Sequence, residues 1–309
     1  MKNLLPALAA CILLASCSNS TPAKPSPTST TNQPDTSKKS TDVTSVSTGP
    51  VADAATIMGR KQVPILCYHH IRDIQMVSKA SMGYEVTVNE FKDQMKTLAD
   101  SGFHTITPDQ LYNYLTTGAA LPDNPVMLTF DDTDLEQFTV GKTEMDKYGF
   151  KGVYFIMTIS IGRPRYMSKE QIKQLSDEGH VIACHTWDHH RTDRYILGDR
   201  YEEVGGRKKL VNDWNDQLDK PRQKLEEITG KSVTYFAYPF GVWNEAGIPE
   251  IRKRGYKLAF QLSTKRDSLE PLYTVRRMIV SPEWSAAGLV RVMRSTFREE
   301  KPTINLTSK

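Results

Sequence analysis

Val126-Met127-Leu128-Thr129-Phe130-Asp131-Asp132 is a short apolar run that breaks off into two adjacent carboxylates. A run of that length reads as a buried strand, of the kind found in parallel sheets. The chain on either side supports this. Upstream, Val63 to Tyr68 is another such strand. Thr87-Val88-Asn89-Glu90 is a capping box, with Phe91, Met95 and Leu98 on one helical face. A further helix starts at Thr107-Pro108-Asp109-Gln110, with Pro at its first position, and stops at Gly118. Downstream come a helix over Leu135–Tyr148, a strand over Gly152–Met157, a helix capped by Ser168-Lys169-Glu170-Gln171 and a strand over Val181–Cys184. After a longer connection, a helix over Asp213–Thr229 is interrupted or kinked at Pro221. Val233–Tyr238, Lys257–Gln261 and Tyr273–Val280 are strand-like, Glu245–Arg254 is helical, and a last helix begins at Ser281-Pro282-Glu283-Trp284.

Strands that alternate with helices imply an α/β fold with a parallel sheet and helices outside it. Seven or so such units in ~240 residues suit a (β/α) barrel, complete or distorted. A doubly wound sheet is the competing architecture. It ranks second, because no Gly-rich phosphate fingerprint follows a strand. In either fold, active-site residues gather at the carboxyl ends of the strands.

The 309 residues are 39% hydrophobic and 25% charged, but the apolar ones are unevenly spread. From Ser18 to Pro50 only Ala23, Val43 and Val46 are apolar side chains of any size, and none is aromatic. Such a stretch cannot bury enough surface to offset the entropy of ordering it. Ahead of it, Met1-Lys2-Asn3 is a basic start and Leu4–Leu14 is an apolar run too short to span a bilayer. Leu14-Ala15-Ser16-Cys17 has the form of a bacterial lipobox, which makes Cys17 the lipidated first residue of the mature chain. The expected organisation is a signal peptide over 1–16, a lipidated Cys17 with a disordered tether over 17–60, a catalytic domain over 61–300 and a tail over 301–309. The expected location is the cell envelope, on a bacterial membrane and facing the exterior or periplasm.

With Cys11 removed and Cys17 lipidated, Cys67 and Cys184 remain. They read as buried thiols at strand ends, with a disulfide as the alternative that export permits. The net charge of +4 is small, and Arg207-Lys208-Lys209 sits beside Glu202, Glu203 and Asp213 as a solvated surface run. Nothing in this balance asks for a nucleic-acid partner.

Three polar clusters fall at predicted strand ends: Tyr68-His69-His70, Thr129-Phe130-Asp131-Asp132, and His185-Thr186-Trp187-Asp188-His189-His190. Two His and a carboxylate form a common divalent-metal set that leaves positions for water and substrate. His185 and His189 are four apart, which puts both imidazoles on one side of a helical turn. Adjacent Asp131 and Asp132 point differently, so one can bind a metal while the other acts as a base.

The Thr129–Asp132 and His185–His189 segments, followed by Phe236-Ala237-Tyr238-Pro239-Phe240-Gly241, resemble the three motifs of the NodB-like polysaccharide deacetylases. The resemblance runs over about residues 63–285. It implies a distorted (β/α) barrel of the NodB type and metal-dependent deacetylation of a carbohydrate. It makes Asp131 the base and Asp132, His185 and His189 the metal ligands, for zinc in the first place and cobalt or nickel as alternatives. Two departures matter. Ala237 stands where the commoner members carry an Arg, and no late His follows His190. A subgroup acting on poly-β-1,6-N-acetylglucosamine instead carries its acid His in an early Tyr-His element and has a Tyr-Pro-[Phe/Tyr]-Gly turn. Leu66-Cys67-Tyr68-His69 resembles that element, which makes His69 the acid. Arg277 resembles an Arg near the last strand that replaces the missing one. Arg276 is the alternative, on the opposite strand face. A backbone N–H near Tyr238 is expected to stabilise the oxyanion.

Tyr238, Pro239, Phe240 and Trp243 are candidates for substrate contact through a sugar-stacking surface, with core packing as the other account of these aromatics. His190 is a spare ligand or a non-ligand. His70 faces away from His69, and His104 and His180 read as ordinary strand or loop residues. The implied partners are an acetylated polysaccharide and, through Cys17, a membrane, and the expected state is a monomer. Peptidoglycan, chitin-like oligomers and acetylated xylan are alternative substrates. A non-catalytic glycan-binding lipoprotein on the same fold is the alternative class. A zinc peptidase is disfavoured, because Thr186 replaces the Glu of H-E-x-x-H.

Overall fold

The computed structural model describes residues 51–73, 83–194, 201–204, 207–210 and 214–296. The expected signal peptide, Cys17, the polar run up to Pro50 and the expected tail 301–309 lie outside the described residues. The domain begins earlier than expected. Helix α1 (Ala54–Gly59) is capped by Asp53, and Ile57 is buried in the same apolar cluster as Ile65, Leu111 and Leu115. Ala52 N–H bonds Thr116 O, and Arg60 Nε bonds Leu115 O. The tether therefore cannot extend to residue 60: the apolar side of α1 packs too well to leave in water.

Strand β1 (Ile65–Tyr68) is followed by two short strands, β2 (His70–Ile71) and β3 (Glu85–Val86), which pair with each other. Helix α2 (Val88–Asp100), strand β4 (His104–Thr105) and helix α3 (Pro108–Thr117) lead to β5 (Pro125–Asp131). Both helices carry the expected reciprocal capping boxes, at Thr87 with Glu90 and at Thr107 with Gln110. α3 ends at Gly118 in the left-handed conformation, φ 77°.

The expected helix after β5 is a π-helical segment, Gln137–Lys142, continuing into α4 (Thr143–Asp146). Next come β6 (Gly152–Ile156), α5 (Lys169–Asp177) with its Ser168 cap, and β7 (Val181–Cys184). β8 (Tyr201–Val204) and β9 (Arg207–Leu210) form an antiparallel hairpin that pairs Glu202 with Lys209 and Glu203 with Lys208.

The helix over Asp213–Thr229 changes pitch where Pro221 predicts it. Asn215–Asp219 is π-helical, with Lys220 N–H bonding Asn215 O, and α6 (Lys220–Thr229) starts with the proline in its first turn. β10 (Tyr235–Ala237), α7 (Ile248–Lys253) and β11 (Leu258–Gln261) follow. The last strand splits into β12 (Val275–Arg276) and β13 (Met278–Ile279), and α8 (Ala286–Thr296) starts a few residues later than expected.

The strand order is β12-β11-β10-β7-β6-β5-β1-β13, all parallel. β12 and β13 stand at opposite ends of that order, yet only Arg277 separates them in the chain. The sheet thus closes on itself into a nearly complete barrel, with Arg277 at the seam. The split has a physical cause. The first half of the strand pairs with β11 and the second with β1, and Arg277 N–H bonds Gln261 O as the chain passes between them.

Alternate residues of each strand fill the interior: Ile65, Met127, Val153, Phe155, Ala183, Tyr235, Ala237, Leu258, Phe260 and Val275 share one cluster, closed by α1 and α3. The other set, including Leu66, Tyr68, Phe130, Tyr154, Phe236 and Tyr238, packs with residues of α2, α5, α6 and α8. Continuing the period of two from the interior set reaches Cys67 and His69, Thr129 and Asp131, His185, and Arg277 at the carboxyl ends.

Candidate active site

The interior alternation delivers a carboxylate and a guanidinium to the same point. Arg277 Nη1 and Nη2 donate to Asp131 Oδ1 and Oδ2 at 2.6 and 2.8 Å, a two-pronged contact between buried groups. Burial alone would raise the Asp131 pKa. The charges of Arg277 and His185 and the hydrogen bonds from Arg277 outweigh it and hold the group at about 2. Arg276 turns to Gln62 instead, as the opposite strand face requires.

Asp132 stands one residue beyond the strand with φ 74°, and its Oδ1 lies 3.5 Å from both His185 Nε2 and His189 Nε2. These three donor atoms lie within 4.8 Å of one another. His185 Nδ1 is 2.8 Å from the carbonyl oxygen of Ala237. A carbonyl only accepts, so Nδ1 carries the proton and Nε2 presents its lone pair to the cluster. Asp132 Oδ1 is buried and has no hydrogen-bond donor. An orphaned carboxylate oxygen beside two imidazole nitrogens fits a divalent cation, and no rearrangement is needed to bring the donors together.

Burial pushes His189 down to about 4, reinforced by neighbouring His185, so it is neutral at ordinary pH, as a ligand must be. Burial also lowers His185, but Asp131 and Asp132 more than reverse it and raise the group.

His69 completes the group from β1. Its Nδ1 is 3.9 Å from Cys67 Sγ, and burial lowers its pKa against the pull of Asp131 and Asp132. Cys67, His69 and Asp131 also lie within 4.8 Å of one another. Gln137, fully buried in the π-helical segment, donates to the backbone oxygens of both His69 and Asp131. Cys67 and Cys184 are both free thiols, which excludes the disulfide alternative.

Backbone strain gathers here. Asp132, Thr133, Thr186, His189 and Phe240 all have positive φ, from 60° to 74°, and two of them are β-branched. Each such residue costs about 1–3 kcal/mol and persists only where its surroundings hold it.

The turn after β10 corrects two expectations. Tyr238 is buried and donates its hydroxyl to Tyr273 O, and Pro239 is buried with it. Trp243 is half-buried, with its Nε1 bonded to Gln261. None of the three is a free stacking face. The period of two sends Tyr238 to the helix-facing side, with Phe236. Phe240 is the exposed one, 60% accessible, and its ring lies 4.4 Å from that of His189.

The turn also narrows which backbone N–H near Tyr238 is open to an oxyanion. Tyr238 N–H is taken by Phe260 O, Gly241 N–H by Tyr238 O, and Val242 N–H by Pro239 O. Pro239 has no N–H, so Phe240 is the turn residue whose N–H enters none of these bonds. Gly241 allows this geometry: at φ 66°, a Cβ there would sit 2.3 Å from Leu262 Cβ.

The other histidines are structural. His70 joins Asp134 and Arg72, His104 contacts Asp123 O, and His180 accepts from Gly152 N–H. His190 pairs with Asp188 outside the three-donor cluster. Tyr84 and Trp187, 45% and 42% accessible, are exposed aromatics beside the site that sequence reasoning missed. Tyr84 lies against the His69 ring, centroids 5.2 Å apart. Trp187 stands inside the His185–His189 segment. Gln137 and Gln217 carry no signal in the sequence at all. Gln217 accepts from Trp187 N–H and donates to Asp188, anchoring that loop.

The nearly closed barrel gathers His69, the Asp131–Arg277 pair and the Asp132, His185 and His189 donors at its carboxyl mouth. Residues 118–259 match the model of the family described as Polysaccharide deacetylase, and the chain carries a deacetylase domain of this NodB type. That span holds Asp131 through Gly241, but not His69 or Arg277. The chain is 27% identical over 282 residues to the protein YxkH of Bacillus subtilis strain 168, itself named for this family, across 91% of this chain and 93% of that one. It is 25% identical over 215 residues to the poly-beta-1,6-N-acetyl-D-glucosamine N-deacetylase of Staphylococcus aureus strain MRSA252, across 65% of this chain and 72% of the relative. Its fold matches that of the Streptococcus pyogenes deacetylase PplD, solved with acetate, at a TM-score of 0.65 and 20% identity, over 75% of this chain and 98% of that one.

Proposed function

We propose that this polysaccharide deacetylase is a metal-dependent N-deacetylase of an N-acetylglucosamine polymer, with a β-1,6-linked chain as the preferred substrate. The observation that carries the reading is the forked Arg277–Asp131 contact beside the convergent Asp132, His185 and His189 donors. The early His69 and the Tyr238–Gly241 turn favour this substrate over peptidoglycan, chitin oligomers or xylan, as does the similarity to the staphylococcal relative.

A divalent cation held by Asp132, His185 and His189, zinc first among the candidates, supplies Lewis acidity toward the acetyl carbonyl. The chain's own groups do the rest. Asp131, kept ionised by Arg277, takes a proton from the attacking water. Phe240 N–H faces the oxygen that gains charge. His69 gives a proton to the leaving nitrogen. The C–N bond breaks, and acetate and a free amine result.

Asp131→Asn is expected to bind metal like the parent protein, by metal analysis, and to release no acetate from acetylated glycans. Acetate release at the parent rate would remove Asp131 from this role. Lipid on Cys17 is proposed to hold the monomer at a bacterial membrane, facing surface glycan.

A further inference from the structure

Beside the mouth of the barrel lies a second concavity that the reaction above does not use. It has a volume of about 360 Å³ and is lined by Thr158, Trp187, Asp216, Lys220, Pro221 and Lys224. Thr158 follows β6, Trp187 follows β7, and the other residues belong to the start of the α6 helix and the turn before it. The cavity therefore opens at the same end as the active site. A single residue separates Trp187 from His185 on one side and from His189 on the other, a Cα–Cα span of about 7 Å at most.

The indole is displayed on a fixed backbone. Trp187 N–H bonds Gln217 Oε1 at 3.2 Å, and its carbonyl accepts from Ile159 N–H at 2.8 Å, while the ring remains 42% accessible. A ring held open in this way is a preorganised stacking face. In the same lining, Lys220 pairs with Asp216, but Lys224 bonds the neutral carbonyl of Thr158 at 3.0 Å. Among the described residues, Lys224 has no carboxylate within ion-pairing distance. Burial disfavours its charge, and Lys169 and Arg163 add further positive charge around it. With Lys220 and Asp216 paired, Lys224 leaves the lining of the cavity with one excess positive charge.

We propose that this cavity is a subsite for the sugar next to the one being deacetylated, and that it accepts that sugar N-acetylated and rejects it as a free amine. Trp187 stacks on the apolar face of the ring. An acetamido oxygen can accept from Lys224, whereas a glucosammonium placed there meets like charge. Deacetylation then avoids residues beside an existing free amine, and the product carries spaced amines rather than runs of them.

The inference rests on the deacetylase reading, and acetate release by the parent protein tests that reading separately. With purified full-length protein, kcat/KM is measured on a one-sugar N-acetylglucosamine substrate and on a defined N-acetylglucosamine hexamer. Product sequences are read by mass spectrometry. Trp187→Ala is expected to lower the ratio of hexamer to one-sugar kcat/KM by about tenfold, the size of one stacking contact, and Trp187→Phe to restore most of it. Lys224→Glu is expected to raise the share of adjacent free amines severalfold. An unchanged ratio in Trp187→Ala, or parent-like spacing in Lys224→Glu, overturns the subsite. Absence of acetate from the parent protein on both substrates overturns the deacetylase reading instead.

Discussion

Asp131 and Arg277 are each untenable alone at this depth. A buried carboxylate without its cation, or the reverse, costs roughly 3–5 kcal/mol, yet together they fix each other's geometry. The guanidinium also lies over the Phe155 ring, 5.0 Å from its centroid, so one face is packed while the fork fixes its edge. Arg277→Lys keeps the charge and loses the fork, and kcat/KM is expected to fall roughly 10- to 100-fold. Arg277→Gln also removes the charge. Asp131 works as a base only when ionised, and without Arg277 burial raises its pKa from about 2. The acidic limb of the pH–rate profile, recorded at saturating metal, should therefore move to higher pH, further in Arg277→Gln than in Arg277→Lys. An acidic limb unmoved in both variants would count against the pairing as the source of the low pKa.

The elements that carry the site are mostly readable, because β1, β5, β6 and β7 are apolar runs and α2, α3 and α5 open with capping boxes. Period-two alternation also explains why Arg277 rather than Arg276 meets Asp131. The same rule applied to Ala237 and Tyr238 would have turned the tyrosine away from substrate. What stayed hidden depends on the path of loops. Positive φ at Phe240 throws one ring outward, Tyr84 reaches His69 from a distant turn, and Gln137 and Gln217 matter only through contacts made after folding.

His180, at the start of β7, gives this scale its own test. Its Nδ1 accepts Gly152 N–H at 3.0 Å, tying the two edges of β6 and β7 together, and cannot take a proton without losing that bond. Burial, with Lys151 nearby, holds it at about 4, against about 6.5 in an unfolded chain. Below pH 6.5 the unfolded chain therefore binds a proton that the fold refuses. Stability is full above pH 6.5 and falls as pH drops toward 4, by up to about 3 kcal/mol. Urea unfolding of the metal-free protein should show this loss between pH 7.5 and 5, and His180→Gln should show about 2 kcal/mol less of it. Equal losses in the two proteins would place the pH dependence elsewhere.

At the scale of the whole molecule, closure of the barrel is what makes a site out of distant sequence. The acid candidate lies on the first barrel strand and the base-orienting Arg at the seam of the last, both outside the span that matches the family model. A chain that must close its first strand against its last gains little from a partial fold, so the site exists only with the complete barrel. Among the described residues no helix is long and apolar enough to cross a membrane. The proposed attachment is lipid on Cys17. On that proposal the Ser/Thr/Pro-rich run after Cys17 serves as a tether, and a flexible chain of ~35–40 residues averages roughly 30–40 Å end to end. Several acyl chains on one residue make such attachment durable, whereas one chain alone is marginal. Cys17→Ser is expected to move the protein from the membrane pellet to the soluble fraction after cell fractionation. Its kcat/KM on soluble oligomers should match the parent protein, while acetate release from cell-bound polymer falls. Continued sedimentation of Cys17→Ser with membranes would assign the attachment to another part of the chain.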